Sequence, residues 1–208
     1  DRPSEAGRYR SLLTSPTVLS IRDLGPLQFP GSVLSSTVSA PFHGRKGGYS
    51  TLLAGRSLWA FDFSLTNTEC ETGRGHCSAS WSWTDDKDAS DGIGAFISGT
   101  DPHGFPAEPI PYTEEEAAYN RAHRSQDCVE NCKNEYYIQP TSLVSDPGRG
   151  RALVFFQRRL GPDVLFDADR QGTSIAVWVD PTQRAVRPAT GETVTELFLI
   201  ENLNPEAD

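Results

Sequence analysis

The sequence predicts an all-β fold of short antiparallel strands with one short inserted helix, and three observations carry that expectation. Runs of alternating apolar and polar residues recur along the chain, the period of strands with one buried face. The 208 residues include 18 glycines and 15 prolines, which favour many short strands and turns over long helices. A single capping-box pattern lies between two strand-rich blocks: Thr113 with Glu116 three residues on, an acidic first turn, and Arg121 and Arg124 near the far end.

In chain order, residues 1–14 are polar and Arg-rich and are expected to form a flexible arm, leaving 15–208 for the fold. Alternation places strands over 17–21, 32–39, 48–54, 57–63 and 78–83. The runs either side of Gly55-Arg56 read as a hairpin, because a Gly at the first central position is what a type II′ turn requires. The helix is expected over 113–124, mostly solvated. A second block follows at 136–144, 151–159 and 173–179, with Asp146-Pro147-Gly148-Arg149-Gly150 as a turn and Asp180-Pro181 as a stop. Residues 195–200 read as a further strand. Its consecutive Leu197, Phe198, Leu199 and Ile200 suit burial on both faces, so a partner surface is expected to cover it.

Composition narrows the function classes. The chain is long enough for one substantial core, and it has no apolar run of membrane-spanning length. A net charge of -9 argues against nucleic acid, whose binding relies on Lys and Arg displacing counterions. Neutral or cationic ligands suit this surface better. With no Met in the sequence, the first residue is expected not to be a translation start, which fits either a processed chain or a fragment.

The four cysteines fall into two local pairs, Cys70 with Cys77 and Cys128 with Cys132. Disulfides within each pair would close two small loops and stabilise the fold by about 2 kcal/mol each. They would also imply an oxidising compartment, the cell exterior, cell surface or periplasm. A four-cysteine zinc site is the alternative, against which the first pair's spacing is too wide.

The stretch from Gly47 to Phe63, read with Gly44-Arg45 before it, resembles the first blade of secreted bacterial five-bladed β-propellers of the glycosidase-like, arabinanase-like group. Their recurrent phrase runs roughly GRDGGYS and then GRSLWLFGDT. This chain has Lys46 where the resemblance implies Asp, and Asp62-Phe63-Ser64 where it implies Gly-Asp-Thr. The resemblance implies a partial propeller of two to three blades, the N-terminal half of the whole. It also implies engagement of an extracellular polysaccharide, by a glycoside hydrolase if the site is active. The alternative is a catalytically inactive half serving as a structural or binding subunit. Its open blade edge would be covered by a C-terminal propeller fragment, a second copy or another protein.

Glycoside hydrolysis uses two carboxylates about 5 to 9.5 Å apart. Asp62 and Asp85 are the catalytic candidates. Strand alternation leaves open whether Asp62 faces the axis or the opposite side. Tyr49, Trp59, Trp81 and Trp83 are candidate sugar-stacking rings, with core packing as the competing role, and His43, beside the glycine-rich loop, is a further substrate-binding candidate, with a loop or surface residue as the alternative. Asp86, Asp88 and Asp91 could bind Ca²⁺, although the spacing is not that of an EF-hand; a solvated turn is the alternative.

Overall fold

The computed structural model describes residues 42–66, 70, 76–87, 96–125, 127–162 and 168–187. The arm at 1–14, the strands expected at 17–21, 32–39 and 195–200, and Asp88 and Asp91 lie outside the described residues.

The described chain is all-β with one short helix, and its successive antiparallel meanders have the form of a partial β-propeller. The first meander comprises β2 (Tyr49–Leu53), β3 (Arg56–Phe61), β6 (Ser80–Thr84) and β7 (Ile97–Ser98), hydrogen-bonded in the order β2-β3-β6-β7. A three-stranded sheet, β1 (Phe42–Lys46), β4 (Phe63–Thr66) and β5 (His76–Cys77), continues the same ribbon past a bend. The second meander comprises β8 (Glu135–Asp146), β9 (Arg151–Gly161) and β10 (Asp169–Trp178). The β2–β3, β4–β5, β6–β7, β8–β9 and β9–β10 connections join hydrogen-bonded neighbours, so these pairs form as local hairpins.

The first hairpin corrects the expected turn. Leu53 pairs with Arg56, so the central residues are Ala54 and Gly55, not Gly55 and Arg56. Both have positive φ, 49° and 77°, which is the type I′ conformation. Moving the turn back one residue pairs Tyr49 with Ala60. Asp62 is thereby carried beyond the end of the ladder, into the bend between β3 and β4.

Between the meanders lies α1 (Glu114–Arg124), capped as expected: the Glu116 N–H donates to the Thr113 hydroxyl, and the Thr113 N–H donates to the Glu116 carboxylate. The helix is less solvated than its sequence implies. Residues 116, 120 and 124 share one face at i, i+4 and i+8, and that face docks on the second meander through polar groups. Glu116 meets Arg187, Asn120 exchanges two hydrogen bonds with the Tyr136 backbone, and Arg124 pairs with the fully buried Glu135.

The main core lies between the meanders and includes Leu58, Trp81, Trp83, Ile138, Val154, Phe156 and Trp178. Strand β6 is buried on both faces. Trp81 and Trp83 enter the core from one face; Ser80 and Ser82 on the other bond Ser64 and Ser98 at 2.6 and 2.7 Å. Arg45 donates to Ser82 and Ser98 and is held between the rings of Phe42 and Phe61. Burial pulls its pKa down to about 9. Disulfides join Cys70 to Cys77 and Cys128 to Cys132, which removes the zinc alternative.

Candidate functional site

The bend that carries Asp62 is built by glycine. Lys46 pairs with Phe63 on one side and Tyr49 with Ala60 on the other, leaving Gly47-Gly48 opposite Asp62. Gly47 has φ +65°, and a Cβ there would overlap the Asp62 carboxylate. The glycine therefore supplies both the left-handed turn and the space the carboxylate occupies. The Asp62 N–H donates to the Lys46 carbonyl at 3.0 Å, which fixes the bend. Asp62 belongs to neither face of the strand, because it lies where the pleat is interrupted.

Strand alternation on the second meander brings further polar groups to this bend. Tyr137 pairs with Arg159 and Gln139 with Gln157, so these share one face; Tyr136, Ile138, Arg158 and Leu160 occupy the other. Gln139 Nε2 donates to the Asp62 carbonyl at 3.0 Å, and Arg159 donates to Gln139 Oε1 at 3.3 Å. Arg159 is anchored in turn on the Ala168 carbonyl.

Burial pushes the Asp62 carboxyl above its ordinary value, and the Lys46 charge, its own backbone hydrogen bond and the Arg159 charge only partly oppose this. Its Oδ1 is buried and has no hydrogen-bond partner among the described residues. Burial also raises the Tyr49 hydroxyl, with the Asp62 charge adding to the shift. The bend thus presents a partly buried carboxylate that feels the Lys46 and Arg159 charges, beside a half-buried phenol.

The other sequence candidates do not converge on this point. Asp85 follows β6 at the opposite end of the meander, where it is exposed and bonded to Arg56 Nε at 2.9 Å. Six residues of extended strand separate Arg56 from Asp62, roughly 20 Å at about 3.3 Å per residue. Asp62 and Asp85 therefore do not form a carboxylate pair. Trp81 and Trp83 offer no stacking face, since both are buried in the core; Trp81 packs edge-on to Trp178 with centroids 6.1 Å apart. Trp59 is half-buried, packed edge-on to Phe96 and bonded to Ser57, and Tyr49 is half-buried as well. His43 sits at a bulge in β1, toward the end away from Gly47. Asp86 donates its N–H to the Thr84 hydroxyl in a local turn.

No protein-family model matches the chain, and no curated protein matches it. Solved structures show a limited likeness. A candidate hydrolase from Bacteroides ovatus is similar over 77% of this chain and 39% of its own, at 15% identity and a TM-score of 0.42. An exo-β-1,3-galactanase from Clostridium thermocellum covers 76% of this chain and 26% of its own, at 9% identity and a TM-score of 0.38. A GH43 β-1,3-galactosidase with galactodeoxynojirimycin covers 69% and 33%, at 11% identity and a TM-score of 0.35. The chain spans less than two-fifths of the length of each, and the reading of the site rests on its own residues.

Sequence reasoning missed Gln139 and Arg159. A signal for Gln139 was present, as a polar side chain inside the apolar run Tyr136, Tyr137, Ile138, Pro140. Nothing local marks Arg159, whose approach to Asp62 depends on how the two meanders meet.

Proposed function

We propose that this chain is part of a secreted, glycoside-hydrolase-like β-propeller that engages an extracellular polysaccharide at the Asp62 bend. The observation that carries the reading is the buried Oδ1 of Asp62, an acceptor without a donor among the described residues, set beside Tyr49 and the Lys46 and Arg159 charges. Sugar hydroxyls are donors of the right kind. A partly desolvated carboxylate bonds them more strongly than an exposed one, because water competes less. The two disulfides support an oxidising compartment.

A second reading, a catalytically inactive binding or structural subunit completed by another chain, is favoured by one feature. The charges that act on Asp62 are cations, and Asp85 is too distant to be its catalytic partner. The two readings share the binding surface and differ in turnover.

Affinity electrophoresis against arabinan and galactan, with reducing-sugar release measured in parallel, tests both. At least one polysaccharide is expected to retard the protein, and Asp62→Asn is expected to weaken that retardation about tenfold, the loss of one charge-assisted hydrogen bond. Sugar release abolished by the same substitution selects the enzyme. Binding without release selects the subunit, and no retardation by any polysaccharide removes both.

A further inference from the structure

The two disulfides stand in opposite surroundings. Cys70 and Cys77 are 1% and 0% exposed, whereas Cys132 is exposed and Cys128 half-buried. We propose that Cys128–Cys132 is a thiol–disulfide exchange site, opened by a dithiol through attack at Cys132, while Cys70–Cys77 is structural. The site shares no residue with the Asp62 bend, and its chemistry does not depend on a carbohydrate ligand.

The Cys128–Cys132 bond has little to hold together. It closes a ring of five residues in the loop between α1 and β8, and the entropy that a crosslink removes from the unfolded chain grows with the length it encloses. Backbone bonds already keep this loop closed: the Cys128 N–H donates to the Ser125 carbonyl at 3.2 Å, the Asn134 N–H to the Asn131 carbonyl at 3.0 Å, and the Lys133 N–H to the His123 carbonyl at 3.0 Å. The docking contacts of Glu116, Asn120 and Arg124 leave from the helix itself, outside the ring. By contrast, the sulfurs of Cys70 and Cys77 lie in the interior against the Pro106 carbonyl, at 3.1 and 3.7 Å, and so tie a distant part of the chain.

The exposed loop also carries strain and a contact surface. Asn131 and Lys133 have φ of 50° and 72°, a left-handed conformation that asparagine adopts readily and lysine does not. Opening the bond gives this segment room to relax, which favours the reduced form. Val129, within the ring, is 91% exposed, the most exposed large apolar side chain among the described residues. Lys133, next in sequence to Cys132, is exposed as well. An apolar contact and a positive charge beside Cys132 suit the approach of a thiolate on a reducing partner.

In the first step a thiolate of the dithiol attacks Cys132 Sγ and forms a mixed disulfide there. The Cys128–Cys132 bond breaks, and its electron pair leaves on Cys128 Sγ. That thiolate takes a proton, and the Glu130 carbonyl 3.3 Å away is placed to accept the resulting S–H. The second thiolate of the dithiol then attacks the reductant's sulfur in the mixed disulfide, and Cys132 leaves as a thiolate and is protonated. The dithiol is oxidised to a disulfide, and the protein gains two electrons and two protons.

The test equilibrates the full chain, without oxygen, in a buffer of glutathione and glutathione disulfide, then alkylates free thiols and maps the peptides by mass. Cys128 is expected to be alkylated and Cys132 to be alkylated or joined to glutathione, while Cys70–Cys77 stays closed. Dithiothreitol is expected to open Cys128–Cys132 about tenfold faster than Cys70–Cys77, or more. The double variant Cys128→Ser, Cys132→Ser is expected to keep the circular dichroism and cooperative melt of the parent. A Cys128–Cys132 bond that stays closed at equilibrium overturns the exchange site, as does a serine variant that fails to fold, since either makes the bond structural. Opening of both disulfides at one rate overturns the contrast between them, and glutathione found on Cys128 instead overturns the direction of attack.

Discussion

Trp81→Ala is expected to destabilise the fold by about 3 to 5 kcal/mol, a large part of the roughly 5 to 15 kcal/mol that holds a domain folded. Trp81 is 2% exposed and lies where the meanders meet. Its indole N–H donates to the Pro181 carbonyl at 3.0 Å, 100 residues along the chain, and its ring meets Trp178 edge-on. Truncation would therefore open a cavity that no neighbour on either sheet can fill. Gly99→Ala should act on the same contact from the opposite direction, because a Cβ at Gly99 would penetrate the Trp81 ring. Gly99 is itself tied by its N–H to the Trp81 carbonyl at 3.1 Å and by its own carbonyl to the Ala107 N–H at 3.2 Å, so the backbone cannot retreat. Overpacking of this kind costs about 1 to 3 kcal/mol or more. Urea melts of the two variants decide the matter. A loss below 1 kcal/mol in Trp81→Ala would mean that the meanders do not close on this residue.

Trp81 also shows what the sequence makes legible and what it hides. Alternation places Trp81 and Trp83 on one face of a strand, as the structure has them, but alternation says nothing about which neighbour covers that face. The cover comes from Trp178 and Pro181, about 100 residues away, and that contact turns two candidate sugar platforms into core. The capping box at Thr113 and Glu116 was readable for the opposite reason, since its partners lie three residues apart. The hairpin turn lay between these cases. Gly55 marked it, yet the choice between types II′ and I′ rested on whether Ala54 would accept a positive φ, and one residue of register decided where Asp62 stands. At the candidate site, Asp62 and Tyr49 were visible because they sit on the first hairpin. Lys46, Gln139 and Arg159 acquire their roles only through the bend at Gly47 and the approach of the second meander.

Glu116→Gln is expected to destabilise the protein by about 3 kcal/mol or more, beyond the loss of a helix cap, which costs about 1 kcal/mol. Glu116 is 2% exposed and serves two structures at once. One carboxylate oxygen accepts the Thr113 N–H at 2.9 Å, while the pair of oxygens receives the Arg187 guanidinium at 2.5 and 3.2 Å, with Arg158 3.6 Å away. Neutralising it takes the carboxylate charge from Arg187 and from nearby Arg158, and Arg187 cannot leave easily because it also packs over the Phe156 ring at 5.2 Å. The pH dependence reports how strongly the fold favours the charged form of Glu116, to which the Arg187 pair contributes most and the cap less. Burial alone would raise the Glu116 carboxyl, but the hydrogen bonds and charge of Arg187, with Thr113 and Arg158, hold it below its ordinary value of 4.5. A folded value below the unfolded one means that the unfolded state takes up protons first as the solution is acidified. The contribution of Glu116 is therefore complete above the ordinary carboxyl value and is lost as pH falls from there through the folded value. Asp146, held low by its hydrogen bond to Arg151, acts in the same sense, but it does so in parent and variant alike and cancels in their difference. Urea melts of the two proteins at pH 7 and at steps down to pH 3 should show a stability gap that narrows continuously on acidification. A gap of constant size would mean that the fold does not hold Glu116 in its charged form, and would leave Arg187 without an energetic part in docking α1 to the second meander.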